Sequence, residues 1–179
     1  EIAYEKGGII KPGKPVVISP QTEEAMNELV RLAKERNSPL ISVEKAFDYH
    51  ESKHSLGMQT IQVQQKEDAF TAKLPGLAAK PLTLNLPLLG RHQMENAVTA
   101  LAALDEVRRA GFRVSRQAIQ RGFKRVVWHA RFEILRRKPP VISDSAHNGD
   151  SMKRLVETLD EYFPGKPFIL IFGASADKE

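Results

Sequence analysis

The segment Val141-Ile142-Ser143-Asp144-Ser145-Ala146-His147-Asn148 constrains this chain more than any other. An apolar run follows Pro139-Pro140, and a helical pattern starts directly after it, with Met152, Leu155, Val156, Leu159 and Tyr162-Phe163 recurring at helical spacing. The pattern predicts a short buried strand running into a helix. Asp144, His147 and Asn148 then occupy the turn from the strand's carboxyl end into the helix's amino end. In open α/β sheets ligands bind at such turns, because exposed backbone N–H groups and the helix dipole favour anionic groups there. The same residues also suit plain helix capping, which Asp and Asn perform at many turns. Taken alone, the eight residues are compatible with either role.

The rest of the chain reads as α/β. Residues 1–6 resemble the last turns of a helix, stopped by Gly7-Gly8. Pro15-Val16-Val17-Ile18 is a short apolar strand. Ser19 reads as the cap of the next helix, with Pro20 at its first position. Ala25, Met26, Leu29, Leu32 and Ala33 form one face of that helix, and Leu40 to Val43 make the following strand, completing a βα unit. From Tyr49 to Leu86 the texture changes. Met58 to Gln64 alternates at period two, and Ala69–Leu74 and Pro81–Leu86 suggest two further strands separated at Pro75-Gly76. A small, mostly antiparallel sheet is expected there. At Gly90 a strong helix begins, with Met94, Ala97, Val98, Leu101, Leu104 and Val107 as its inner stripe. Ser115 reads as the cap of a shorter helix through Phe123. Strands are expected around Val126–Trp128 and Phe132–Leu135, and Phe168 to Phe172 reads as a fully buried strand of the parallel type. The shift in composition near Gly90 suggests a boundary between two parts, 1–90 and 91–179.

Bulk chemistry narrows the partners. The net charge is +5, but the basic residues are spread over Lys34, Arg36, Arg108-Arg109 and Arg136-Arg137-Lys138 and are not interleaved with aromatics. That argues against a nucleic-acid face and suits anionic small molecules. With no cysteine, disulfide and thiol chemistry are excluded, and a reducing compartment fits. No apolar run approaches membrane-spanning length and no signal peptide is seen, so a cytoplasmic protein is expected. The chain opens at Glu1 and closes soon after an apolar run, and it reads as part of a longer protein.

Four islands then line up in order: Ile2-Ala3-Tyr4-Glu5-Lys6-Gly7-Gly8-Ile9-Ile10-Lys11, Leu89-Gly90-Arg91-His92-Gln93-Met94-Glu95-Asn96-Ala97, Trp128-His129-Ala130-Arg131-Phe132-Glu133 and Asp144-Ser145-Ala146-His147-Asn148. Phe172-Gly173 with Asp177-Lys178 adds a weaker fifth. Together they resemble the folylpolyglutamate synthases and dihydrofolate synthases of the Mur ligase group, which form amide bonds with ATP. The resemblance implies the end of a central ATPase domain in residues 1–90 and a Rossmann-like C-terminal domain in 91–179, both incomplete. It implies an ATP- and Mg²⁺-dependent ligase that adds L-glutamate to a folate or dihydropteroate carboxylate, and a monomer.

Residue by residue, the resemblance makes Lys6 the lysine that is carboxylated and offers an anionic oxygen to Mg²⁺; a neutral amine is needed for that step. It turns Asn96 toward the nucleotide, where an amide both donates and accepts. Arg131 would fork onto phosphate oxygens as charge develops. Asp144 would take the ribose hydroxyls or orient the nucleotide, and His147 would lie near the folate or incoming glutamate, where a general-base role is open. Each also has a plain structural reading: a helix-end cation for Lys6, solvated side chains for Asn96 and Arg131, a turn histidine bonded to backbone for His147. His92 and Gln93 are read as structural. Three positions depart from the family pattern: His129-Ala130 for a common Pro-Gly, Ser145 for a common Gly, and Gly7 for a common Ala. The phosphate loop G-x-x-x-x-G-K-[ST] is not among these residues, so the chain alone is expected to be inactive. Rival readings are a Mur-type cell-wall or cyanophycin-type ligase, and a non-catalytic module binding nucleotide or nucleic acid.

Overall fold

The computed structural model describes residues 2–66 and 76–173. Helix α1 (Ile2–Gly7) packs on α2 (Glu23–Glu35), close enough that a Cβ at Gly7 would press on the Leu32 side chain. Strands β1 (Val16–Ile18) and β2 (Leu40–Ser42) pair in parallel across α2, as a βα unit requires. The helix cap falls at Thr22 instead of Ser19: the Thr22 hydroxyl accepts the Ala25 N–H at 3.5 Å, while Ser19 accepts from Gln21 at 3.0 Å. Glu23 and Glu24 directly after Thr22 complement the dipole of a helix that starts there.

A one-turn helix, α3 (Val43–Ala46), leads into the antiparallel sheet β3 (Phe47–Ser55), β4 (Met58–Gln65) and β5 (Leu82–Leu86), in that order. The alternation in β4 places Gln59, Ile61 and Val63 inside, and β5 buries Leu82, Leu84 and Leu86. Strand β3 is not foreseen as such. Its polar sequence fits a strand that, among the described residues, pairs on one side only and is mostly exposed.

Helix α4 (Arg91–Arg109) lies over this sheet, and its Ala97, Val98, Leu101 and Ala102 share one core with Ile61, Val63 and the β5 leucines. Ile119 of α5 (Arg116–Lys124) joins the same core, and Ser115 caps α5 by accepting the Ala118 N–H at 3.1 Å. Packing therefore runs across residue 90, where the composition shifts: Gly90 is the α4 N-cap, at φ +99°. Val107 of the expected stripe is 41% exposed, and the last turn instead buries Asp105, whose carboxylate accepts the Leu77 N–H at 2.8 Å. Burial pushes the Asp105 carboxyl above its ordinary range.

Beyond α5 the sequence expectations need three corrections. No strand forms at Val126–Trp128, where Val127 and Trp128 are largely exposed. Strands β6 (Glu133–Arg137) and β7 (Pro140–Ser143) form an antiparallel hairpin, so β7 is half-exposed and not a buried strand. Phe168 to Phe172 is exposed and unpaired, because no strand among the described residues receives its N–H and C=O groups. Helix α6 (Gly149–Tyr162) follows β7, capped by Asn148 in a reciprocal pair with Ser151. The plain capping reading thus holds for Asn148. The expected strand at Ala69–Leu74 and the Asp177-Lys178 match lie outside the described residues.

Candidate functional site

The loop from Trp128 to Phe132 carries two non-glycine residues in the left-handed region, Ala130 at φ +54° and Phe132 at φ +48°. Such conformations cost about 1–3 kcal/mol each and persist only where neighbours hold them. Here they are held from several sides. The Ala130 N–H donates to Glu133 Oε2 at 2.9 Å, and its carbonyl accepts the Ser145 N–H at 2.9 Å. The Phe132 N–H donates to Asp144 Oδ2 at 2.7 Å, and the Phe132 ring is buried. The other Asp144 oxygen accepts the Ala146 N–H at 2.7 Å. Glu133 also bonds His129 Nδ1 at 2.9 Å; the Ala130 N–H first, and His129 second, hold its carboxyl below the ordinary range. Between its two left-handed neighbours Arg131 is turned outward, with its guanidinium 5.9 Å from the centre of the Trp128 ring.

Arg131 and Asp144 face a cavity of about 640 Å³. Its walls come from three places: the turn Ser19 to Thr22 before α2; His92, Glu95 and Asn96 on α4; and Asp150, Ser151, Arg154, Leu155 and Thr158 on α6. The volume lies within the roughly 300–1,000 Å³ of small-molecule sites. Two guanidinium groups, Arg131 and Arg154, supply positive charge, and Glu95 stands 3.8 Å from Arg154. The close approach of α6 to α4 depends on Gly90, where a Cβ would sit 2.5 Å from Thr158 Oγ1.

Asn96, Arg131 and Asp144, which the sequence singles out, are brought together here. Lys6 and His147 are not. Lys6 is exposed in the last turn of α1 and does not line the cavity. His147 is exposed; its Nδ1 lies 2.8 Å from the Ser145 carbonyl and its N–H donates to Ser151, the local turn arrangement. Among the described residues no three His, Asp or Glu ligand atoms converge within the cavity, although Glu95, Asp144 and Asp150 each bring a carboxylate to its lining. Sequence reasoning missed Asp144 as the clamp of the strained loop. One signal lay in the sequence: the family resemblance puts a common glycine where Ala130 stands, and in the structure Ala130 is left-handed, a conformation glycine adopts freely.

His92 was also missed as a wall of the cavity. Burial pushes its imidazole below the ordinary value of 6.5, against the pull of Asp144. The folded chain therefore favours neutral His92. Its contribution to stability is complete above the ordinary imidazole pKa and is lost as pH falls through the depressed one. Melting temperatures measured from pH 7 down to about pH 5 are expected to fall less steeply for His92→Gln than for the wild-type chain; parallel curves would remove His92 from the acid sensitivity.

Comparison with known proteins agrees with this architecture. The family model described as Mur ligase, glutamate ligase domain, matches residues 130–179. A dihydrofolate synthase/folylpolyglutamate synthase of Bacillus subtilis (strain 168) is 29% identical over 99% of this chain and 39% of its own length. The structure of the Thermotoga maritima folylpolyglutamate synthase superposes with a TM-score of 0.72 at 31% identity, covering 93% of this chain and 36% of that one. The Mycobacterium tuberculosis folylpolyglutamate synthase, solved with ADP and AMPPCP, gives 0.76 at 29% identity over 90% of this chain and 35% of its own. The chain thus spans under two fifths of the length of these relatives. No described helix is long and apolar enough to cross a membrane. In sequence and in fold, the chain matches the C-terminal portion of the folylpolyglutamate synthases of the Mur ligase family.

Proposed function

We propose that the intact protein is an ATP-dependent ligase joining L-glutamate to the carboxylate of a folate or dihydropteroate, and that this chain supplies the wall that faces the nucleotide. The observation that carries the reading is the convergence of Asn96, Arg131 and Asp144, distant in sequence, on one cavity. The ADP and AMPPCP bound by the Mycobacterium tuberculosis relative support a nucleotide as its occupant.

A carboxylate is a poor electrophile, so phosphoryl transfer from ATP first makes an acyl phosphate. The glutamate amine then attacks that carbonyl, phosphate leaves, and an amide remains. Arg131 would fork onto phosphate oxygens and stabilise the charge that develops there. Asn96 would meet the base with an amide that donates and accepts. Each Asp144 oxygen spends one lone pair on a backbone N–H and keeps another, so holding the loop leaves capacity for ribose hydroxyls. Phe132 and Leu155 on the cavity wall would help exclude water that destroys the intermediate. His147 is proposed near the acceptor or the glutamate. Lys6 is proposed as the carboxylated lysine on the metal side, where it would offer an anionic oxygen to Mg²⁺. A two-part organisation of residues 1–90 and 91–179, a cytoplasmic location, a monomeric state and no nucleic-acid partner belong to the same proposal.

Assaying the intact protein with ATP, L-glutamate and either pterin-linked carboxylates or muramyl precursors tests this. Turnover is expected with dihydropteroate or folates. Turnover only with muramyl precursors would overturn the choice of acceptor, and salt-dependent nucleic-acid binding without ligation would overturn the class.

A further inference from the structure

The strained loop that presents Arg131 is braced on its far side by an aromatic stack. The Phe132 ring lies 5.8 Å from the Tyr162 ring, inclined at 49°. Tyr162 ends α6, and its other neighbour is His54, with ring centres 4.8 Å apart at 45°. His54 belongs to β3, the edge strand of the antiparallel sheet. Two carboxylates flank it: Glu51 Oε2 at 2.8 Å from Nδ1, and Glu161 Oε1 at 3.8 Å. Residues three apart on a regular strand point to opposite faces. The register shift between Glu51 and Lys53 inserts an extra residue and brings Glu51 and His54 to the same side, a recurrent use of bulges. Burial, and then Glu51, push the Glu161 carboxyl up, as expected of a carboxyl brought against another one beside His54.

We infer that His54 and Tyr162 are positioning residues for Arg131: the stack His54–Tyr162–Phe132 sets where the loop stands over the cavity. Phe132 adjoins Arg131 directly, and its N–H is fixed to Asp144. With backbone and ring both held, the left-handed conformation persists and the guanidinium is aimed outward. Removing the Tyr162 ring leaves Phe132 nothing to rest on at that side, and removing His54 lets the end of α6 shift. The β3 edge strand, remote in sequence, thereby governs the guanidinium. The inference rests on the proposed function only in giving the position of Arg131 its catalytic meaning.

Trp128, the only tryptophan of the chain, reports on that position because Arg131 lies over its ring. Its emission in the 179-residue chain tests the inference without any ligase assay, with Arg131→Ala defining the full change. Tyr162→Leu and His54→Ala are each expected to produce most of that change, and Tyr162→Phe, which keeps the ring, to retain wild-type emission. Circular dichroism checks the fold. Should Tyr162→Leu not fold, His54→Ala decides, since the 41% exposed His54 side chain can be removed without hollowing a core. Wild-type emission in His54→Ala would overturn the inference, as would an Arg131→Ala chain that emits like the wild type. In the intact protein, His54→Ala is expected to lower kcat while leaving KM for glutamate unchanged. A wild-type protein without turnover would defeat the ligase reading and leave the fluorescence result standing.

Discussion

Replacing Arg131 with alanine in the full-length protein is expected to lower turnover by on the order of 10² or more, the loss typical of a donor that stabilises transition-state charge. The same replacement should leave the fold intact. Arg131 is exposed, and the contact that marks it in the structure is the Trp128 ring at 5.9 Å. Exposed substitutions of this kind usually stay within about 0.5 kcal/mol. Catalysis and stability should therefore separate cleanly. Arg131→Lys is expected to fall between wild type and alanine, since it keeps the charge and loses the planar fork. Steady-state kinetics beside a thermal melt check both halves. Near-normal turnover in Arg131→Ala would take the residue out of the chemistry.

Leu101→Ala is expected to have the opposite profile, a large loss of stability with no direct effect on the cavity. Leu101 is fully buried on α4, in the same core as Ile61, Val63, Leu82 and Leu84. Truncating such a leucine costs about 2–5 kcal/mol, because the lost transfer energy adds to a cavity that the surroundings only partly fill. For a chain of this size that corresponds to a fall in melting temperature of about 4–20 °C. The variant also probes the organisation around residue 90. If α4 and the sheet are one cooperative unit, Leu101→Ala and Leu84→Ala should each lower a single transition, seen alike by circular dichroism and calorimetry. Two separated transitions, with only one moved by Leu101→Ala, would show that the helix and the sheet unfold independently.

What was legible in the sequence was what local rules govern. The alternation of β4, the cap at Ser115 and the βα unit around α2 each follow from a few adjacent residues. The collinear islands pointed to the family because such motifs are written in consecutive positions. Where two local signals competed, the reading slipped: Thr22 with Glu23 and Glu24 capped α2 in place of Ser19. Strand β3 escaped because an edge strand with one partner has little need of an apolar pattern. The exposure of Phe168 to Phe172 escaped for the converse reason: an apolar run shows that a strand could be buried, and only a neighbour can bury it.

By itself, then, the sequence determined the longer helices, the strands with a clear apolar pattern and the identity of the chemical groups, since these depend on neighbours along the chain. Tertiary structure alone decided that Asn96, Arg131 and Asp144 share a cavity while Lys6 and His147 stand outside it. It also decided that Asp144 clamps the Arg131 loop and that His92 is half-buried among charges. The physical reason is the same in each case. Desolvation, electrostatic pull and the cost of a left-handed residue are set by atoms that meet in space, and those atoms come from distant parts of the chain.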